Sequence, residues 1–199
     1  MHAENYRRVK ELRAGGDLEH LARAIRLAKD QARQRLLLRW NIYLEGATGR
    51  SEMRVAEAIR PFLKEWVDRA RGELSFCTTQ ILIGHGCFGE YLHRIGKEFT
   101  SRCHHCGDEV DSAQHTLGEC SSWVAERRVL IDVVGADLSP PALIRTMLRG
   151  DMGWSAVTFS CDTVMTQKEE AERERRGEIA PQDGVRRRSR RAAPHLSAH

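Results

Sequence analysis

Apolar side chains recur every three or four positions along much of this 199-residue chain, which is the spacing of amphipathic α-helices. The first such face follows Asp17, a helix-capping residue, and the second follows Ser51, with Pro61 marking a kink or a late helix start. Three more faces predict helices over residues 123–134, 139–149 and 154–176. The hydrophobic pattern therefore predicts a mostly α-helical fold.

The composition limits where such a chain can reside. Hydrophobic residues make up 41% and charged residues 30%, which suits a soluble domain with a small apolar core. No apolar run approaches the roughly 20 residues of a membrane-spanning helix, and residues 1–13 lack the apolar stretch of a secretory signal. We therefore expect a nuclear or cytoplasmic protein, not a secreted one, without a membrane partner. In such a compartment the six cysteines favour metal ligation over disulfides.

The positive charge is concentrated near the carboxyl terminus. The chain carries a formal charge of +4, and the tail arginines supply five positive charges, so the rest sums to −1. These arginines are Arg186, Arg187, Arg188, Arg190 and Arg191. They could contact nucleic-acid phosphates or act as a nuclear-import signal, or they could simply be a solvated, disordered end.

The most specific motif is a group of cysteines and a histidine with metal-ligand spacing. Cys103 and Cys106 are separated by two residues, and Gly107 permits the tight turn that would aim both sulfurs at one ion. His115 and Cys120 follow, and Asp111 or Ser112 could cap a short helix that presents His115. Three thiolates and one imidazole form a closed set that suits one structural Zn²⁺. The alternatives are four unrelated loop residues, or ligation by His104 or His105.

A second group has looser spacing. It contains Cys77, His85, Cys87 and His93, and it could be another metal site or a Cys–His nucleophilic pair. The blander interpretation is that the two cysteines are buried and that His85, between two glycines, caps a turn. Cys161 lies alone on a helix face and is expected in the core.

Several common catalytic motifs are absent from the sequence. It contains no Asp-Asp pair for two magnesium ions, no Gly-rich phosphate loop ending in Lys-Ser or Lys-Thr, and no Gly-x-Ser-x-Gly or His-Glu-x-x-His motif. We therefore predict no catalytic site in this chain.

Several of these residues together resemble a known family. The run from Thr79 to Gly96 contains Gly84-His85-Gly86-Cys87-Phe88, and the Cys-Cys-His-Cys cluster, Leu138-Ser139-Pro140-Pro141 and Lys168-Glu169-Glu170 follow it. This order resembles the carboxyl-terminal region of the pol proteins of arthropod non-LTR retrotransposons, over roughly residues 35–176. One departure is Ser51-Glu52, where the family usually has Trp-Thr.

The resemblance implies a function for the region. In that family the region follows an endonuclease and a reverse transcriptase, which is an RNA-directed DNA polymerase. The zinc motif of the family is matched residue by residue by Cys103, Cys106, His115 and Cys120. The resemblance implies that the region binds nucleic acid and holds element RNA or target DNA. The rest of the pol machinery would be a further partner. The polymerase and endonuclease modules are not found in this chain. The rival hypotheses are a zinc-stabilised protein-interaction module and a non-functional transposon relic.

These observations predict four segments. They are a flexible N-terminus over 1–16, a helical segment over 17–72, a zinc-containing helical domain over 73–176 and a disordered Arg-rich tail over 177–199. The expected fold class is a small, mostly α domain with an embedded structural zinc loop-helix and a disordered basic tail.

Overall fold

The computed structural model describes residues 6–7, 10–11, 14, 18–70 and 72–179. These residues are mostly helical and contain no β-strand, which confirms the predicted fold class. None of the helices among them is long and apolar enough to cross a membrane. The predicted flexible N-terminus and Arg-rich tail, including all five tail arginines, lie almost entirely outside the described residues.

The chain divides into two compact units, the first ending at Thr48 and the second beginning at Gly49. Helix α1 (Leu18–Glu45) occupies the first unit. Several of its large apolar side chains are exposed to solvent, including Leu36, Trp40 and Tyr43, and the rings of Trp40 and Tyr43 meet edge to face at 6.2 Å.

The second unit contains seven α-helices in its described residues. They are α2 (Arg50–Ile59), α3 (Leu63–Asp68), α4 (Phe76–Ile83), α5 (Gly89–Arg94), α6 (Val124–Val134), α7 (Pro140–Leu148) and α8 (Asp151–Arg175). A 3₁₀ turn at Arg60–Phe62 separates α2 from α3, where Pro61 was expected to cause a kink. A π-helical turn, His115–Glu119, and a 3₁₀ turn, Ser121–Trp123, precede α6.

Helix α8 is the centre of this unit and packs against α4, α6 and α7. Its buried stripe contains Val157, Cys161 and Met165, each fully enclosed, so Cys161 lies in the core as expected. At the start of α8, Gly153 allows a close approach to α7, because a Cβ there would collide with the carbonyl oxygen of Thr146. The main apolar core therefore lies along one side of α8.

Helix α2 belongs to the same unit as the cysteine–histidine region. Its buried residues Ala56 and Ala58 face inward, and the helix packs against α4 and α7. The units thus divide between Thr48 and Gly49, whereas the sequence pattern placed a boundary after residue 72. The helix also begins earlier than the expected cap at Ser51: Gly49 is its N-cap, and the Gly49 N–H donates to Glu52 Oε2 at 3.3 Å.

Candidate metal centre

A tight hairpin positions the first two cysteines. The N–H of Cys103 donates to the Asp108 carbonyl at 2.8 Å, and the Gly107 N–H donates back to the Cys103 carbonyl at 2.8 Å. Gly107 has φ of +89°, a conformation that a side chain would disfavour. One step outward, the Asp111 N–H donates to the Ser101 carbonyl at 2.8 Å. The spacing of two residues is therefore folded so that both sulfurs face the same side.

The other two residues of the motif come from the π-helical turn. The Ser112 hydroxyl accepts the N–H of His115 at 3.0 Å, so Ser112 takes the capping role for which Asp111 was the other candidate. The Cys120 N–H then donates to the His115 carbonyl at 2.8 Å, which widens the turn and brings Cys120 back towards His115. The Arg127 guanidinium of α6 donates to the carbonyls of Leu117 and Cys120, at 2.7 and 2.5 Å, and fastens the turn to α6.

Four ligand atoms converge at this point. One side-chain donor atom from each of Cys103, Cys106, His115 and Cys120 lies within 4.8 Å of all the others, and this is the one such group among the described residues. The Cys103 and Cys120 sulfurs are 3.8 Å apart, and Cys106 Sγ lies 3.3 Å from His115 Nε2. A tetrahedral ion with Zn–S bonds of about 2.3 Å separates two sulfurs by about 3.8 Å. The cluster could therefore hold a metal ion.

The two nitrogens of His115 face different surroundings. Its Nε2 points to the sulfurs, whereas Nδ1 lies 3.7 Å from Asp108 Oδ2 and 3.6 Å from Glu119 Oε2. Carboxylates on the far nitrogen of a metal-binding imidazole hold the ring in one orientation and keep the near nitrogen free to bind. Both carboxylates are exposed to solvent, whereas the His115 side chain is buried.

Hydrogen bonds to sulfur make the three thiols unequal. The hydrogen bond from the Cys120 thiol, together with the N–H groups of Cys106 and His105, lowers the pKa of Cys103 well below its usual range, against the opposing effect of burial. The same Cys120–Cys103 bond, together with burial, raises the pKa of Cys120. Cys103 is thus the sulfur best prepared to be a thiolate, which is the form that binds metal.

The neighbouring histidines lie outside the group of four. His104 is exposed and sits 3.4 Å from Glu98 Oε1. His105, the other alternative ligand, is half-buried, and its ring packs against Trp123 with centroids 4.9 Å apart. Burial lowers the pKa of His105 to about 4, so the ring is neutral at pH 7.

The second sequence group is spread over separate contacts. His85 Nε2 is hydrogen-bonded to the Ser51 hydroxyl, and His93 Nδ1 lies 3.2 Å from the Glu98 carbonyl oxygen. Cys87 is part of the apolar core, and burial raises the pKa of its thiol to about 12. Cys77 is half-buried beside that core.

A buried ion pair that the sequence pattern did not predict lies beside the cluster of three cysteines and His115. Lys168 of α8 is 1% exposed, and its Nζ donates to both carboxylate oxygens of Asp111, at 2.9 and 2.8 Å. The same carboxylate accepts the Gly89 N–H at 3.0 Å and the Thr116 hydroxyl at 3.1 Å. Asp111 therefore ties the hairpin, α5, the π-helical turn and α8 together at a single point.

The position of Lys168 in the sequence indicates that its side chain is buried. Lys168 lies seven positions after Cys161 and four after Val164, on the same face of α8 as those buried residues. A lysine on a buried stripe needs an acidic partner, because an unpaired charge in the core is strongly unfavourable. That partner lies 57 positions earlier in the chain, and no local pattern in the sequence connects the two.

Comparison with known proteins supports part of the sequence interpretation. No protein-family model matches the chain, and no solved structure matches it. The chain is similar to the retrovirus-related Pol polyprotein from type-1 retrotransposable element R1 4 of Nasonia vitripennis, with 30% identity over 103 residues. The match covers 47% of this chain and 26% of that protein, so the chain spans about a quarter of the length of its relative. The similarity supports a retrotransposon-related region in this chain.

Proposed function

We propose that this chain is a zinc-stabilised, nucleic-acid-associated module derived from the pol protein of a non-LTR retrotransposon. The observation that carries the proposal is the convergence of three cysteines and one histidine within 4.8 Å, in a chain that is similar to a retrotransposon Pol polyprotein. In this proposal the reverse transcriptase and endonuclease reactions belong to other regions of such a pol protein.

The donor set supports zinc as the metal. Thiolate sulfur and imidazole nitrogen in a tetrahedral arrangement suit Zn²⁺, whereas Mg²⁺ and Ca²⁺ prefer oxygen. Cys103 and Cys106 would hold the ion from the hairpin, and His115 and Cys120 would hold it from the π-helical turn. Four protein ligands leave no position for a catalytic water, so the ion would stabilise structure by joining these two loops.

Association with nucleic acid is supported by the Pol similarity and by the arginine tail. The tail arginines would contact phosphates without regard to sequence, and the folded unit would supply the more specific part of the contact. The proposed partner is element RNA or target DNA. The remaining pol machinery would be a second partner.

A titration with a labelled oligonucleotide tests this role. We expect the zinc-loaded protein to bind a fluorescein-labelled single-stranded RNA at low salt, with an affinity that falls steeply between about 50 and 200 mM salt. Fluorescence anisotropy gives the affinity for the full chain and for a variant ending at residue 176. Binding that survives the truncation would place it in the folded unit, and an absence of binding at low salt would contradict the proposal.

A zinc-stabilised protein-interaction module is the second candidate. The observation in its favour is a set of large apolar side chains exposed on the second unit, among them Phe99 at 97%, Met152 at 87% and Phe159 at 69%. Outside the tail arginines the net charge is −1, which also favours a protein partner. Capture of the element's reverse transcriptase by this chain after nuclease treatment would support this candidate over direct nucleic-acid binding.

A further inference from the structure

An aromatic pair lies on the second unit at the turn between α4 and α5. Gly84 and Gly86 have φ of +69° and +148°, and they place His85 on a tight turn that leaves its ring half-exposed. The ring stacks on Tyr91 of α5, with centroids 4.4 Å apart and planes 26° apart. Arg94, one turn further along α5, holds its guanidinium 5.3 Å from the centre of the Tyr91 ring. We call this surface, made of His85, Tyr91 and Arg94 with Arg50 beside them, the His85 face.

Contacts with α2 hold the His85 face in place. The Ser51 hydroxyl is hydrogen-bonded to His85 Nε2, and Arg50 Nη1 forms an ion pair with Glu90 Oε1. These two contacts fasten the beginning of α2 to the turn and to α5. A ring fixed in this way loses little conformational freedom when a ligand stacks on it, which is the general advantage of a preorganised site.

The charges on the His85 face are mixed but leave exposed guanidinium groups. Arg50 keeps 68% of its side chain exposed although it is paired with Glu90, and Arg94 is also exposed. Burial and the nearby Arg94 charge lower the pKa of His85, which favours the uncharged form of its ring. Neutral rings flanked by arginines are the combination that proteins use to hold single strands, with bases on the rings and phosphates on the guanidinium groups.

We propose that the His85 face binds single-stranded nucleic acid, with a base stacked against the His85–Tyr91 pair and the flanking phosphates on Arg94 and Arg50. This inference rests on the proposed function and assigns it a place on the molecule. It also separates two tasks within the second unit: the metal cluster joins loops, and the His85 face makes the contact with the strand. An unpaired strand is required, because bases in a duplex are not free to stack on protein rings.

The test compares two matched pairs of variants in the full, zinc-loaded chain. The probe is a fluorescein-labelled 15-nucleotide oligouridylate. Arg94→Gln removes an exposed guanidinium from the His85 face, and its control Arg128→Gln removes one from the exposed side of α6. His85→Gln keeps a group that can hydrogen-bond to Ser51 but removes the ring, and its control is His104→Gln. Circular dichroism and zinc content verify that each variant is folded.

We expect His85→Gln to weaken binding about tenfold, from the loss of one stacking contact. Arg94→Gln should weaken it about three- to tenfold and reduce the slope of log affinity against log salt by about 0.7, as expected for one lost phosphate contact on a single strand. Equal effects of each variant and its control would overturn the inference while leaving the proposed function standing. Failure of the unmodified chain to bind the oligouridylate at low salt would overturn both.

Discussion

The absence of a side chain at Gly89 allows the start of α5 to pack closely against the backbone of the cysteine hairpin. It begins α5, and its N–H donates to the Asp111 carboxylate. A Cβ at this position would lie 2.6 Å from the Arg102 carbonyl oxygen and 2.7 Å from that of Ser101. Both atoms belong to the backbone of the hairpin, so neither can move aside without displacing the cysteines that follow.

We therefore expect Gly89→Ala to lower the free energy of unfolding by about 1–3 kcal/mol, the usual range for overpacking a buried site. Urea unfolding followed by circular dichroism measures this. The matched control is Gly118→Ala, where the nearest atom is the flexible end of Gln114 at 3.3 Å, so its effect should be smaller. Equal stability of the Gly89→Ala protein and the parent would show that the hairpin is not packed against α5 in this way.

The carboxylates beside His115 give a second prediction for single residues. Glu119 Oε2 lies 3.6 Å from Nδ1 of the imidazole, close enough to favour the orientation that points Nε2 at the sulfurs. Glu119→Gln should weaken zinc binding about tenfold, the lower end of the range for such partners. Competition with a chromophoric chelator measures the affinity. Glu109→Gln, which changes an exposed carboxylate of the same hairpin, should leave the affinity unchanged, and equal affinities for the two variants would refute the orienting role.

At the level of the elements, the Asp111–Lys168 pair joins α8 to the hairpin, to α5 and to the π-helical turn. Both side chains are nearly fully buried, and the Lys168 ammonium also lies 5.5 Å from the centre of the Phe88 ring. Removing one member of a buried pair leaves the other as an uncompensated charge, which is much more damaging than losing an exposed pair. The link between α8 and the hairpin thus depends on both residues being present.

Lys168→Met should accordingly lower the free energy of unfolding by about 3–5 kcal/mol. Lys64→Met is the matched control, because Lys64 pairs with Asp68 through a side chain that is 74% exposed, and it should change stability by no more than about 1 kcal/mol. Chemical denaturation of the two variants beside the parent provides the comparison. A loss at Lys168 no larger than that at Lys64 would mean that the pair does not hold α8 in place.

The elements also show which parts of the structure are open to prediction from sequence. Apolar spacing and capping residues predicted helices where α6, α7 and α8 lie, because these signals are local. A short helix that presents His115 was predicted, but its π-helical widening was not, because the widening depends on the Cys120 N–H reaching the His115 carbonyl and on Arg127 from the next helix. The burial of Lys168 was not predicted either, because its partner Asp111 is distant in sequence. The four residues that converge in the structure could be singled out from the sequence, because ligand chemistry is carried by residue type and spacing alone.

At the scale of the whole second unit, α8 connects two interiors. Val157, Cys161 and Met165 belong to the main apolar core, and Val164 packs in a small cluster with Cys103, Cys120 and Trp123. Metal binding at the cysteines would therefore stabilise the packing of α8, because a ligand that binds the folded state alone shifts the unfolding equilibrium. We therefore expect the fold of the second unit to be stabilised by one bound zinc ion.

The zinc content of the purified protein shows whether the four residues hold a metal ion. Elemental mass spectrometry on protein prepared under reducing conditions should find about one zinc per chain, the number that a single four-ligand site holds. Cys120→Ser should lose the zinc, whereas the control Cys77→Ser, which changes a cysteine outside the cluster, should keep it. A chain without zinc, or one that retains its zinc after Cys120→Ser, would contradict a structural zinc site at these four residues.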